Sequence, residues 1–129
     1  MKRMIMRTPN QVFEIELNES DTAKAIWLAL PLEAYVNVWG EEIYFEIPVS
    51  MDIENGKTMM EVGEAAYWPS GKAFCLFFGP TPASVGGVPT AISDVSPVGM
   101  VIGDTTELTK VGDRTKVVLD RIIQEERTQ

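Results

Sequence analysis

The stretch Glu64-Ala65-Ala66-Tyr67-Trp68-Pro69-Ser70-Gly71-Lys72-Ala73-Phe74-Cys75-Leu76-Phe77-Phe78 decides the fold. Two runs rich in alanine and aromatic residues flank Pro69-Ser70-Gly71-Lys72, a turn signal. They predict a β-hairpin with arms Glu64 to Trp68 and Ala73 to Phe78. The second arm holds no polar residue. Such a strand is apolar on both faces, so it is central, covered on both sides or enclosed in a barrel.

Outward from this hairpin, short strand signals recur. Met4 to Met6 and Val12 to Leu17 flank the turn Thr8-Pro9-Asn10-Gln11 and predict an opening hairpin. Ala34 to Val38 and Glu42 to Ile47 predict two strands joined at Trp39-Gly40-Glu41. In the second, Ile43, Phe45 and Ile47 share one face, and Glu42, Tyr44 and Glu46 the other. Val98 to Ile102 and Thr115 to Ile123 read as later strands, and Gln124 to Gln129 as a charged tail. Asn18 to Asp21 supplies helix-capping residues. Ala23, Ile26, Trp27 and Leu30 then form one helical stripe, ended by Pro31. Thr105 to Val111 fits one or two helical turns. Val49 to Val62 is rich in methionine, with a turn at Glu54-Asn55-Gly56-Lys57. Met51, Met59 and Met60 suit either gap-filling or an adaptable contact surface. Gly79 to Val95 reads as a long loop with three prolines and three glycines. Many short strands with one or two short helices predict an all-β barrel or sandwich.

The chain has 129 residues, and 1–129 reads as a single domain. No apolar run is long enough to span a bilayer, and the N-terminus lacks the apolar core of a secretory signal. With Cys75 as the lone cysteine, the expectation is a cytoplasmic protein without a disulfide. There is no histidine, which removes Ser-His-Asp and Cys-His catalysis and histidine-held metals. The net charge is −8, and the acidity is concentrated in Glu14 to Glu64. Phosphate is repelled by that charge, so neither nucleic acid nor an anionic membrane is expected as a partner.

Three stretches carry a resemblance: Asn37-Val38-Trp39-Gly40-Glu41-Glu42-Ile43-Tyr44-Phe45, Ala66-Tyr67-Trp68-Pro69-Ser70-Gly71-Lys72-Ala73, and Cys75-Leu76-Phe77-Phe78-Gly79-Pro80-Thr81-Pro82. Together they resemble a family of uncharacterised bacterial and archaeal proteins with a cyclophilin-like fold. The likeness covers nearly the whole chain. It implies a closed, mainly antiparallel barrel of about eight strands, capped by one or two short helices. Cyclophilins proper are peptidyl-prolyl isomerases, which turn an X–Pro bond over a barrier of ~18–20 kcal/mol. Their site uses an arginine and a Phe-His-Arg run. This chain has no such run, and none of Arg3, Arg7, Arg114, Arg121 and Arg127 lies in the matching stretches. The isomerase site does not carry over, and fold alone does not set function.

The candidate residues follow from these stretches. Glu41 and Glu42 are adjacent carboxylates beside a turn. On a strand, neighbours point to opposite faces, which suits solvated turn positions or pairing with a cationic group better than paired-acid catalysis. Asp52-Ile53-Glu54-Asn55-Gly56 has some calcium-loop character, but residue 63 is glycine where the bidentate glutamate belongs, so a plain turn is expected. No metal or cofactor is expected, and no catalytic residue is assigned. Cys75 in an apolar strand is expected to be inert core. Trp39, Tyr44, Tyr67, Trp68 and Phe78 sit at turns and strand ends, either as core or as the lining of a shallow groove. Tyr44 is the best non-core residue among them, on the face of Glu42 and Glu46. Thr81 and Ser84 belong to a run that either shapes a pocket mouth or simply redirects the chain. The favoured reading is a binding module for a peptide or small ligand, using Trp39, Glu41, Glu42, Tyr44, Tyr67, Trp68, Phe78, Thr81 and Ser84. The alternatives are a divergent prolyl isomerase and a structural subunit of a larger complex.

Overall fold

A computed structural model describes residues 2–123. The expected tail Gln124 to Gln129 lies outside them. The described residues form the strands β1 (Arg3–Arg7), β2 (Val12–Leu17), β3 (Leu32–Tyr35), β4 (Asn37–Val38), β5 (Glu42–Glu46), β6 (Lys57–Met59), β7 (Glu64–Trp68), β8 (Ala73–Phe77), β9 (Thr90–Ile102) and β10 (Lys116–Ile122). One α-helix, α1 (Asp21–Ala29), follows β2, and 3₁₀ turns occupy Pro69–Gly71 and Thr106–Lys110. None of the described helices is long and apolar enough to cross a membrane.

The start of α1 is over-determined. Ser20 Oγ accepts from the Ala23 amide at 3.1 Å, an N-cap bond. The Glu54 carboxylate also reaches back to accept from the Thr22 amide at 2.9 Å and the Thr22 hydroxyl at 2.7 Å. These donors hold the Glu54 carboxyl below its ordinary pKa. The calcium-like run therefore has its central acid committed to a helix end, and no metal-ligating cluster occurs among the described residues. Of the predicted stripe, Ala23, Ile26 and Leu30 are buried, and Trp27 is half-buried against the main core.

The pairing path runs β3-β10-β1-β2-β9-β7-β8-β5-β4, all antiparallel, with β6 added to β9. The ladder of paired strands is an open path, so strand pairing alone does not close the expected barrel. Its two edges, β3 and β4, are consecutive in the chain and separated only by Val36. A strand cannot pair with its own continuation, so the chain itself passes from one edge to the other. Val36 is fully buried and donates to the Thr115 carbonyl at 2.9 Å. The single expected strand Ala34 to Val38 is split at this residue.

Strand β8 lies between two apolar layers. Phe74 and Leu76 join the main core with Ile43, Phe45, Tyr67, Val98 and Ile26. Ala73, Cys75 and Phe77 face the other way into a second cluster with Met60, Ala66, Ala91 and Val95. Two-sided burial is what the wholly apolar arm requires.

The expected Gly79 to Val95 loop is shorter than its composition predicts, because Thr90 to Val95 is strand. This half of β9 pairs with β6 and supplies Ala91 and Val95 to the second cluster. A register shift where β9 pairs with β7 sits opposite Pro97 and Gly99. A bulge there accommodates a proline that would otherwise break a ladder.

Candidate functional site

The hairpin between β4 and β5 places the first two site residues. Trp39 and Glu42 exchange backbone hydrogen bonds of 2.9 and 3.2 Å around Gly40-Glu41. Gly40 adopts φ +62°, in the left-handed region that glycine enters without penalty. A Cβ on Gly40 would also fall 2.9 Å from Thr81 Cα and from Pro82 Cδ. The tight turn puts the indole and the carboxyl side by side on one face of the hairpin.

That face opens on a cavity of about 80 Å³. Trp39, Glu42 and Tyr44 line it from the hairpin, and Cys75 and Trp68 from β8 and β7. Ala91, Ile92 and Val95 close it from the first half of β9. Tyr44 and Trp68 meet edge to face, their centroids 6.3 Å apart and their planes at 86°. Trp68 Nε1 donates to Ser93 Oγ at 2.8 Å, which ties the β7 end to β9. The volume is several times that of a water, at about 10–15 Å³ each, so the space suits a small functional group.

Glu42 is the polar centre of the cavity. It is only 6% exposed, which corrects the expectation of a solvated turn residue. The cause is register. Glu42 lies opposite Phe77 on β8, and β9 covers that face. Burial pushes its carboxyl from 4.5 up to about 7, although the neighbouring Cys75 thiol opposes the rise. The Cys75 thiol is pushed well above its ordinary value by burial and by Glu42. Cys75 is packed as expected, yet it forms part of the cavity floor. No ion pair among the described residues includes Glu42.

The matching family model is described as cyclophilin-like and covers residues 2–120. The chain belongs to the cyclophilin-like family. It is also similar to a solved structure, the solution structure of a hypothetical protein from Archaeoglobus fulgidus. The two are 38% identical, the match covers 94% of this chain and 95% of that one, and the TM-score is 0.81. No curated protein matches.

Within this cyclophilin-like chain, the structure brings together Trp39, Glu42, Tyr44 and Trp68 and separates the other candidates. Tyr67 is fully buried in the main core, where its hydroxyl donates to the Val49 carbonyl. It is a core residue, because its place on β7 points it opposite to Trp68. Phe78 is half-buried and packs against the main core. Glu41 is half-buried and lies against Gly79, outside the cavity, its backbone bonded to Pro80 and Phe78. Thr81 accepts and donates within its own loop, its amide bonded to Ser84 Oγ at 2.8 Å and its hydroxyl to the Thr90 carbonyl. Ser84 Oγ donates to the Val88 carbonyl. Both hydroxyls serve as loop staples. Ala91, Ile92 and Val95 complete the cavity unannounced by any motif, and Cys75, which opens the third matching stretch but read as inert core, joins them. The only signal for the first half of β9 was the apolar pair Ala91 and Ile92 next to Val95, masked by Ser93, Asp94 and the surrounding glycines and prolines.

No arginine is among the residues that line the cavity. Arg121 is engaged elsewhere, donating to the Trp27 carbonyl at 3.0 Å with its guanidinium 5.6 Å from the Trp27 ring centroid.

Proposed function

We propose that this chain is a binding module and that the cavity behind the Trp39–Glu42 hairpin receives a small ligand or one side chain of a peptide. One observation carries the reading. Three half-buried aromatic rings and a single buried carboxyl converge on a mostly apolar cavity. A few convergent polar groups in an apolar recess are the usual make-up of a ligand site. The second apolar cluster surrounds it, so filling the cavity need not disturb the main core. The finer fold reading is a barrel closed by the segment β3–Val36–β4, supported by that segment joining both sheet edges. The free Cys75 thiol is compatible with the cytoplasm.

A divergent prolyl isomerase is the runner-up, and the missing arginine weighs against it. The test is NMR exchange spectroscopy on Xaa-Pro peptides and a panel of small fragments. Binding predicts saturable shifts at Trp39, Tyr44 and Trp68 with cis/trans exchange at the uncatalysed rate. Faster exchange would favour the isomerase. A panel that shifts nothing around the cavity would overturn the binding reading and leave the subunit reading, which pull-down of a specific partner would test.

A further inference from the structure

We propose that the cavity is an ammonium site: it takes a primary or methylated alkylammonium group, with the cation between the Glu42 carboxylate and the rings of Trp39, Tyr44 and Trp68 and the alkyl stem against Ile92 and Val95. This names the ligand class for the binding reading above and rests on it.

The aromatic walls come first. Tyr44 and Trp68 stand at 86° with centroids 6.3 Å apart, and so form a corner. Trp39 lines the same space from the hairpin end. Ring faces attract cations within about 6 Å of the centroid, tryptophan most strongly, and perpendicular rings are how aromatic cages hold methylated ammonium groups. The same faces repel an anion.

The carboxyl is the second observation. Glu42 is 94% shielded from solvent by its relative exposure of 6%, and buried carboxylates are normally paired. Among the described residues no ion pair includes Glu42, and no lysine or arginine lines the cavity. Lys57 is paired with Glu64 at 2.8 Å, and Arg3 with Glu16 at 3.4 Å. From β8 the Cys75 thiol faces Glu42, and from its own strand the Tyr44 phenol. β7 contributes Trp68 and β9 contributes Ala91, Ile92 and Val95, none of them ionisable. A carboxyl that lines a cavity without a basic partner is complementary to a cationic guest. An anionic guest would find no counter-charge there.

The surroundings agree. The segment Glu14 to Glu64, which contains Glu42, carries twelve acids against Lys24 and Lys57. Such a field concentrates cations near the molecule. Ile92 is 64% exposed beside the cavity, so an alkyl stem leaving it would cover apolar surface.

The linkage has a definite sign. Burial raises Glu42 to about 7, so the ammonium competes with a proton for the carboxylate. Binding releases a proton and tightens as the carboxyl ionises, by about ten-fold between pH 6 and pH 8.

The experiment is an NMR titration of the full chain with butylammonium, butyltrimethylammonium, 1-butanol and butyrate, on the wild type and on Glu42→Gln. The expected result is saturable shifts of the Trp39 and Trp68 indole protons with both ammonium ions. 1-Butanol and butyrate should bind at least about ten-fold more weakly, and Glu42→Gln should weaken the ammonium ions by a similar factor. The wild-type affinity for butyltrimethylammonium, whose charge does not titrate, should follow the pH dependence above. Equal binding of 1-butanol, or Glu42→Gln without effect, would overturn the ammonium assignment and keep the pocket. Shifts confined to exposed acids, or no shift with any probe, would overturn both the assignment and the binding reading.

Discussion

Trp39 and Glu42 are held side by side by two backbone hydrogen bonds across Gly40-Glu41, and both side chains face one cavity. A short turn thus sets a large amphipathic ring next to a buried carboxyl. Neither residue is placed by its own chemistry. The position of each follows from the turn, the register of β5 on β8, and the cover that β9 provides.

Removing the charge at Glu42 should reveal the cost of burying it. The folded carboxyl titrates near 7 and the unfolded one near 4.5. Between those values the native state holds the proton that the unfolded state has lost, so this group makes stability fall as pH rises from about 4.5 to about 7. Glu42→Gln should match the wild type near pH 4 and exceed it at pH 8 by about 1–3 kcal/mol. Denaturant midpoints at the two pH values check this. A variant less stable than the wild type at pH 8 would contradict it.

Tyr67→Phe should be a stability change and nothing else. It leaves the Val49 carbonyl without its buried donor, at a cost of about 1–2 kcal/mol. Thermal unfolding measures the loss, and the Trp39 and Trp68 indole resonances should stay in place. If those resonances move as far as they do in a Trp68 neighbour variant such as Ser93→Ala, then Tyr67 is not confined to the core.

Gly40→Ala should damage the site through the backbone. The new Cβ would meet Thr81 and Pro82 at 2.9 Å on a residue at φ +62°, where a side chain is itself unfavourable. The expected loss is about 1–3 kcal/mol, with displaced Trp39 and Glu42 resonances. A variant of wild-type stability and spectrum would show that the loop beyond β8 yields freely.

Cys75 lines the cavity yet is only 1% exposed, and its thiol is held well above the usual range. Iodoacetamide at pH 8 should modify it on the order of a hundred-fold more slowly in the native protein than in denaturant, because reaction waits on opening. Mass spectrometry reads both rates. Equal rates would mean that the cavity floor is open to solvent.

Much of the fold was legible in the sequence. The β1–β2 and β7–β8 hairpins, the capped helix α1 and the core face Ile43, Phe45, Ile47 follow from alternation, turn chemistry and helical spacing, which are local properties. The two-sided burial of β8 followed from an arm without a polar residue. The limits came where local signals were weak. Residues 90–95 read as loop because Ser93, Asp94 and nearby glycines and prolines hide a strand that exists only through pairing with β6.

The site divides along the same line. Its residue types were visible, Trp39, Tyr44 and Trp68 as aromatics at strand ends and Glu42 on the face of Tyr44. Tyr67, Glu41, Phe78, Thr81 and Ser84 carried the same local signals and are not in the cavity. Strand parity alone says which neighbours share a face, but not which face is later covered. The sequence by itself determined the β class, the hairpins and the absence of histidine chemistry, because periodicity, turn residues and composition act within a few positions. Only the tertiary structure decided that the face bearing Glu42 is roofed by residues from some fifty positions away in the chain. Burial, and with it the raised carboxyl pKa and the cavity, depends on contacts distant in sequence, which no local pattern encodes.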